Sequence, residues 1–363
     1  MKTDIDIRNL KENEREKNNT HDEDKKDDGM KSRIVLFDDE MIQNYIRISD
    51  IIKGNTPPEQ RQNFDIIEKH QFVTLIEKRV LLTNSREKHV MLFFKSYHHY
   101  TVSFNYFLFQ YLLSPKLLIH HLITSYQSVL QRFLALERLG ICFFDFSIRN
   151  LLLETEQFTS FIRGIQHAVV MLDEPANIER NMLRVLKRVE NYTFMPIEAH
   201  MVVYLMNELN DHQNNNSKKP LSILDIDHVS SDFAEKISIT KSNLSRLSCY
   251  ERCTSALKKY INKPKTAIIS EILMNNKTWP NYAVSILYLF LFQNVIKAFS
   301  LENTMINEIA ELLFNNIHPE LLERESLENT IEKVNEILAA DKWEFVNEIP
   351  YSQIAIFQAL ISE

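Results

Sequence analysis

The hydrophobic pattern of the chain changes its period once, near Ser114-Pro115. From residue 34 to about residue 96, apolar residues occur in short β-like runs that are separated by turn-forming stretches. Beyond Pro115 they recur mainly at helical spacing. This order predicts an α+β protein of two lobes, in which a small, mainly antiparallel lobe precedes a helical one. The four β-like runs are RIVLF, YIRISDII, FVTLIEKRVLL and HVMLFF.

Helical spacing is clearest in residues 117–140, where Arg138 and Gly140 close the pattern as a helix C-terminus is commonly closed. Ser326 is the expected N-cap of the last helical segment. A long insertion, at about 205–277, contains the polar loop NDHQNNNSKKP. The further segments with a helical pattern are NMLRVLKRVENY, residues 283–299, ENTMINEIAELLFNNIH and SLENTIEKVNEILAA.

The two ends of the chain are expected to lie outside the lobes. Residues 1–33 alternate charge signs and have almost no large apolar residue, which is typical of a disordered tail. Since these residues are charged rather than apolar, we expect no signal peptide and no secretion. The predicted organisation is a tail (1–33), a reduced N-lobe (34–114), a helical C-lobe (115–345) and a C-terminal extension (346–363).

Composition and charge argue against several classes of partner and site. The net charge of −7 argues against a dedicated nucleic-acid binder, which needs a broad basic face. Polar and charged residues interrupt the most apolar stretch, 282–299, so it predicts a buried helix and no membrane span. The three cysteines form neither a CxxC pair nor an even disulfide set, and we expect free thiols and no structural zinc.

Glycine is scarce in this chain. There are only four glycines in 363 residues, against about 7% in ordinary proteins. They stand at positions 29, 54, 140 and 164, too far apart to build a glycine-rich phosphate loop of either common kind. A nucleotide-binding site in this protein would therefore have to work without such a loop.

The segment ICFFDFSIRNLLLE, residues 141–154, resembles the catalytic loop of protein kinases. Asp145 is followed by Asn150 and then by an apolar run, and a long helical segment that ends in glycine precedes them. Arg324 stands where kinases carry the Arg that pairs with the Glu of Ala-Pro-Glu, which is Glu198 here. The other segments that resemble kinase landmarks, in order, are FTSFI (158–162), MPIEAHMVVYL (195–205), TWPNYAVSILYL (278–289) and residues 312–338.

This resemblance covers about residues 30–340 and implies a two-lobed, protein-kinase-like fold. More narrowly, the chain is similar to the divergent kinase-like proteins of large cytoplasmic DNA viruses. The stretches that carry this are YIRI, a Pro-x-Glu followed by His-x-x-x-Tyr-Leu, and the insertion before WPNY. The resemblance implies a location in the host cytoplasm or the virion, and viral or host proteins as partners.

The resemblance also implies residue roles. In an active kinase of this type, Asp145 is the catalytic base, Asn150 binds a metal ion and Arg149 is placed to contact phosphate. Other parts of the loop are replaced. The His-Arg that precedes the Asp is Phe143-Phe144, and the Lys that steadies the γ-phosphate is Ser147.

The decisive loss is the metal-binding Asp of the DFG motif. Its place falls on Phe161 or Ile162, and neither side chain offers the oxygen ligand that Mg²⁺ requires. Asp173 is a possible substitute but stands further from Asn150 than the family's spacing allows. Pro280 stands where the central helix of the large lobe has its opening Asp.

We therefore expect a pseudokinase that needs no cofactor and acts as a binding or scaffold module. Glu198 and Arg324 then form a structural ion pair. Asp145 is a turn residue that follows the helix, and Asn150 satisfies only backbone groups of the turn. One alternative is an atypical serine/threonine kinase that uses ATP and Mg²⁺, with Asn150 as its one identified metal ligand. A second alternative is a structural virion protein.

Other candidate residues favour ordinary structural roles. SILDIDHV (222–229) is similar to the Asp-x-Asp of haloacid-dehalogenase phosphatases, but its flanks lack the parallel sheet which that chemistry needs. The adjacent pairs His98-His99 and His120-His121 cannot chelate alone, because neighbouring side chains point apart. The lysines considered as phosphate contacts, and expected to be surface charges, are Lys53, Lys78 and Lys95.

Overall fold

The structure is a computed structural model of the chain. It describes residues 30–37, 39–73, 76–77, 80–81, 88–95, 101–104, 106–107, 114–154, 159–188, 195–210, 219–238 and 246–340. These residues fall into two compact units. Within the described ranges, the first unit comprises 30–102, Glu154 and 161–167, and the second comprises 103–153, 159–160 and 168–340.

The first unit contains a three-stranded antiparallel sheet. Strands β1 (Met30–Leu36) and β2 (Ile67–Val73) flank the central strand β5 (His89–Lys95). The register of β1 on β5 runs from Met30 opposite Lys95 to Leu36 opposite His89. Val90 and Leu92 alternate along β5 and are buried, so one face of the sheet forms the core of this unit.

Helix α1 (Glu40–Asn55) lies where sequence analysis expects a strand. The prediction for YIRISDII is wrong, because all of its residues belong to this helix. Asp39 caps the helix by accepting a hydrogen bond from the Met41 N–H at 2.8 Å. The buried residues include Tyr45, Ser49 and Ile52, which recur at helical spacing. The β-branched residues of the stretch favour a strand. The N-cap at Asp39 and the helical spacing of the buried residues favour the helix that the structure shows.

The remaining elements of this region are short. Helix α2 (Pro58–Arg61) lies in the predicted turn GNTPPEQ. The run FVTLIEKRVLL is divided between the end of β2 and the two-residue strands β3 (Ile76–Glu77) and β4 (Val80–Leu81), which pair with each other. Strand β6 (Thr101–Ser103) follows β5 in the chain.

The described residues also limit the predicted tail. Strand β1 begins at Met30, so the prediction of disorder is wrong for residues 30–33. Because the strand pairs with β5 along its whole length, these residues belong to the sheet. Residues 1–29 and the predicted C-terminal extension, 346–363, lie outside the described residues.

The second unit is mainly helical. Its long helices confirm the segments with a helical pattern, and Ser326 caps the last helix by accepting from the Asn329 N–H at 3.1 Å. The described part of the insertion at 205–277 is mainly helical as well, with non-helical segments that include 219–222 and 261–264. The helices are α3 (Pro115–Arg138), α4 (Pro175–Arg188), α5 (Ile197–Asn210), α6 (Ile223–Ser238), α7 (Arg246–Leu257), α8 (Lys265–Met274), α9 (Trp279–Phe299), α10 (Met305–Asn316) and α11 (Leu327–Ala339).

Helix α9 forms the core of this unit. Every residue from Trp279 to Leu289 is buried, and the helix packs against α10 and α3. A helix segment that is apolar on all sides must be surrounded by other elements. The predicted buried helix at 282–299 is confirmed as a helix, and it is buried throughout as far as Leu289, whereas Phe290 and Lys297 are exposed. Among the described residues, no helix has both the length and the apolar character that a membrane span requires.

Four short strands lie among the described residues between α3 and α4. They are β7 (Ile141–Cys142), β8 (Leu151–Glu154), β9 (Ser160–Ile162) and β10 (Val169–Val170). Strand β7 pairs antiparallel with β10, with Cys142 opposite Val169. Strand β9 confirms the strand that was predicted in FTSFI. The described chain is therefore an α+β protein with small sheets, as predicted.

Candidate functional site

The candidate site is the loop between β7 and β8, which contains Asp145, Arg149 and Asn150. The chain enters it through a tight turn at the end of α3. Gly140 has a φ of +68°, a conformation that other residues rarely adopt. A Cβ atom at this position would lie 2.6 Å from Cγ of Leu172. The left-handed conformation therefore favours glycine here, and the turn sets the start of β7 and of the loop.

Aromatic packing holds the loop on both sides of Asp145. Phe143, Phe144 and Phe146 are each 1% exposed. The rings of Phe143 and Phe146 both contact Phe133 of α3, at centroid distances of 5.8 Å and 4.8 Å. Phe144 packs edge-on against Trp279 at the start of α9, at 5.2 Å. The three rings thus anchor the loop in the core, and Asp145, between Phe144 and Phe146, is half-buried.

Asn150 closes the loop through its side chain. Its Oδ1 atom accepts hydrogen bonds from the backbone N–H of Ser147 at 2.9 Å and from the Ser147 hydroxyl at 3.0 Å. The Asn150 N–H donates in turn to the Ser147 carbonyl at 2.9 Å, across a single 3-10 turn. An amide oxygen has two lone pairs. Both are used here, so a metal ion could bind Oδ1 only after a bond to Ser147 is broken.

The two residues at which the kinase resemblance expects the metal-binding Asp are apolar. Phe161 is 7% exposed and Ile162 is fully buried. The backbone of Ile162 accepts from the Asp65 N–H and donates to the Asn63 carbonyl, both at 2.8 Å. The sequence from Gln157 to Leu172 contains no Asp or Glu, so no small change of alignment restores a carboxylate. Asp173, the possible substitute, is half-buried in the turn before α4.

Glu198 and Arg324 form a buried ion pair. Nη2 of Arg324 lies 2.9 Å from Oε2 of Glu198, and the exposed fractions of the two side chains are 0% and 5%. Arg324 also donates to the carbonyls of His318 and Pro319, at 2.5 Å and 3.1 Å. Its guanidinium lies 5.1 Å from the ring centroid of Tyr282. These contacts join α5, α9 and the segment before α11, and the pair has a structural role.

A buried polar cluster in the helical core is absent from the sequence-based candidates. The Asn281 amide donates to Oγ1 of Thr330 at 2.9 Å and to the Glu325 carbonyl at 2.8 Å. The Asn316 amide donates to Ser285 and to Thr330, both at 3.1 Å. The signal for it is an Asn and a Ser four residues apart in the first half of α9, where the neighbouring residues are apolar. The cluster joins α9, α10 and α11.

The competing motifs have structural roles. Asp225 and Asp227 of SILDIDHV lie on helix α6, which excludes the strand-borne arrangement of a phosphatase. Asp225 accepts from the Tyr204 hydroxyl at 2.6 Å, and Asp227 from the hydroxyl of Tyr250. Lys53 donates to the Glu68 carbonyl at 3.1 Å.

The remaining candidates for metal or phosphate contacts are Lys95, the three cysteines, and Lys78 with the pair at 98–99. Lys95 is an exposed residue at the end of β5. The cysteines at 142, 249 and 253 are buried and none of them forms a disulfide bond with another described residue. Among the described residues, no group of three or more His, Cys, Asp and Glu side chains could hold a metal ion. Lys78 and the pair at 98–99 lie outside the described residues.

The comparisons with known proteins identify no family. No protein-family model matches the chain, and no curated protein is significantly similar to it in sequence.

Proposed function

We propose that this protein is a pseudokinase: a kinase-like module that binds protein partners and does not transfer phosphate. The order of elements around the loop supports the kinase-like part. A long helix ends in Gly140, strand β7 pairs with β10, and the loop with Asp145 lies between β7 and β8. The Glu198–Arg324 pair, 126 residues apart in sequence, is the second feature that the resemblance implies.

The hydrogen bonding of Asn150 carries the non-catalytic part of the proposal. Phosphoryl transfer depends on metal ions that neutralise the triphosphate. The amide oxygen that would bind such an ion accepts two hydrogen bonds from Ser147 instead. With Phe161 and Ile162 at the position of the second ligand, two metal contacts are replaced. Loss of metal stabilisation costs a factor of roughly 10³ or more in rate.

The proposal rests on the broad kinase-like layout rather than on a viral subgroup. Of the stretches that carry the narrower resemblance, YIRI is helical and not a strand. A location in the host cytoplasm or the virion depends on that narrower resemblance alone.

A thermal-unfolding titration with ATP tests the proposal. A ligand that binds only the native state raises the free energy of unfolding by RT ln(1 + [L]/Kd), which is ~2.7 kcal/mol at a hundredfold excess over Kd. We expect no rise in Tm at millimolar ATP, with or without Mg²⁺. The matched arms are Mg²⁺ alone, and an active protein kinase measured in parallel.

Two observations together would contradict the proposal. A Mg²⁺-dependent rise in Tm, together with autophosphorylation that Asp145→Asn abolishes, would overturn the pseudokinase proposal and establish an atypical kinase. Asp145 is half-buried and its neighbours hold the loop, so the Asn variant is expected to fold. Its circular dichroism spectrum and Tm are the check on that.

A further inference from the structure

Helix α4 has two chemically distinct faces. Ile178, Met182, Val185 and Leu186 are at most 4% exposed and form its inner face. The outer face has a row of four cations, defined here as the basic row: Arg180, Arg184, Lys187 and Arg188. Arg180, Lys187 and Arg188 are exposed, and Arg184 is half-buried.

The basic row borders an open groove of about 560 Å³ along the helix. Ala176, Glu179 and Leu183 complete its lining. Oε2 of Glu179 accepts a hydrogen bond from the hydroxyl of Ser270 in α8 at 3.0 Å. Oδ1 of Asn177 accepts from Nη2 of Arg180 at 2.9 Å, which holds that guanidinium at the first turn. The groove is thus positively charged along its length, with one carboxylate at its edge.

The spacing of the cations fits an extended acidic peptide. A helix rises 1.5 Å per residue, so Arg180, Arg184 and Arg188 follow one another at about 6 Å along the axis. An extended chain rises about 3.3 Å per residue, so alternate side chains on one face are about 6.6 Å apart. Acidic residues at positions i, i+2 and i+4 of a strand-like peptide therefore match the three arginines. Lys187 lies beside the last two.

A membrane surface does not fit the same helix. Amphipathic helices bind membranes through an exposed apolar face. The apolar face of α4 is buried within its own unit, since Met182 and Leu186 are fully buried. The helix can present only its cations, so the hydrophobic contribution to membrane binding is missing.

A nucleic acid fits less well than a peptide. Its affinity comes from many phosphate contacts over a broad basic surface. Here a single row of four cations stands on a chain of net charge −7. Around a narrow row, the other acidic residues of the chain repel a long polyanion more than they repel a short peptide.

We propose that the basic row binds an extended acidic segment of a partner protein, with acidic side chains at alternate positions. This surface is independent of the kinase-like fold, because it depends on α4 and the contacts of that helix alone. It gives the protein a partner of defined chemistry, whichever way the nucleotide titration comes out.

Fluorescence anisotropy on the full chain tests this surface. The probe is a labelled peptide in which five glutamates alternate with alanines, and the matched probe has glutamine in place of each glutamate. The test variant is R180E/K187E/R188E. The control is K219E/K258E/K277E, which changes the net charge equally at three lysines that are exposed elsewhere in the second unit.

We expect the glutamate peptide to bind the unchanged protein and the control with similar Kd values. Each exposed charge pair contributes a factor of about 1.5 to 5, so three reversals should raise Kd by about tenfold or more. The glutamine peptide should bind at least about tenfold more weakly than the glutamate peptide, and added salt should weaken binding. If the reversed variant does not fold by circular dichroism, R180Q/K187Q/R188Q replaces it.

Three outcomes overturn the proposal. The first is no binding of the glutamate peptide at low salt. The second is an equal loss of affinity in the control, which would show that only the net charge matters. The third is tighter binding of single-stranded RNA or of anionic lipid vesicles than of the peptide, with the same dependence on the basic row. That result would assign the surface to another class of partner.

Discussion

The guanidinium of Arg324 and the carboxylate of Glu198 are 2.9 Å apart at a place where 0% and 5% of their side chains are exposed. The two residues come from distant parts of the helical unit, at the start of α5 and just before α11. Two charges held out of water stabilise each other, but neither is stable alone. The pair is therefore far more sensitive to the loss of one member than to the loss of both.

Arg324→Met is expected to lower the free energy of unfolding by about 3–5 kcal/mol, because it leaves the Glu198 carboxylate buried without its cation. The double variant Glu198→Met/Arg324→Met should lose less than the single one. Urea denaturation followed by circular dichroism measures both. The control is Arg138→Met, which breaks the exposed pair with Glu328 and should cost at most ~1 kcal/mol. Additive losses in the double variant would contradict the buried-pair interpretation.

Phe144 should be as important for stability as a central core residue. Its side chain is 1% exposed and packs on Trp279, so Phe144→Ala should cost about 3–5 kcal/mol. Leu322, which is 93% exposed, is the control, and Leu322→Ala should change stability by less than ~0.5 kcal/mol. Chemical denaturation provides the comparison. A small effect at Phe144 would mean that the loop is not anchored by its aromatic residues.

Asn150 distinguishes a turn-forming role from a metal-binding one. Asn150→Ala removes the acceptor for both Ser147 hydrogen bonds and should cost ~1–2 kcal/mol. Asn150→Asp keeps an acceptor oxygen and should retain most of that stability. Both are measured by urea denaturation without added metal. If Asn150→Ala is as stable as the unchanged protein, the hydrogen bonds do not hold the loop, and a ligand role regains support.

His121 should make the protein less stable in mild acid. Burial, and secondarily the charge of His120, lower the pKa of His121 from 6.5 to about 4. The unfolded chain therefore binds a proton between pH 6.5 and 4 that the folded chain does not. The contribution to stability is complete above pH 6.5 and is lost as the pH falls towards 4. His121→Gln should flatten this slope in urea titrations at pH 4.5–7, and His228→Gln, at an exposed histidine of α6, is the control.

The helical part of the fold is largely predictable from the sequence, and the small lobe is less so. Helix α3 follows from apolar spacing that ends in Arg138 and Gly140, because a long amphipathic helix repeats its signal over several turns. In α1, isoleucines suggest a strand over a short window, and only Asp39 and the burial of Tyr45, Ser49 and Ile52 reveal the helix.

The candidate site shows the same limit at the level of single residues. Sequence spacing places Asp145 and Asn150 in one loop, and the Glu198–Arg324 pair is present where it is expected. Sequence spacing cannot reveal that Oδ1 of Asn150 accepts a hydrogen bond from the Ser147 N–H, because that contact depends on a side-chain torsion. Sequence spacing also does not distinguish a Phe that lines a site from a Phe that anchors the loop in the core, because both occur as apolar residues in the same run.

Phe133 lies under both flanks of Asp145, through its contacts with Phe143 and Phe146. A single ring on α3 therefore couples the helix mechanically to the loop. The ring contacts of Phe144 with Trp279 fix the same loop to α9. The position of Asp145 is thus set from both sides by aromatic side chains that belong to two different helices of the unit.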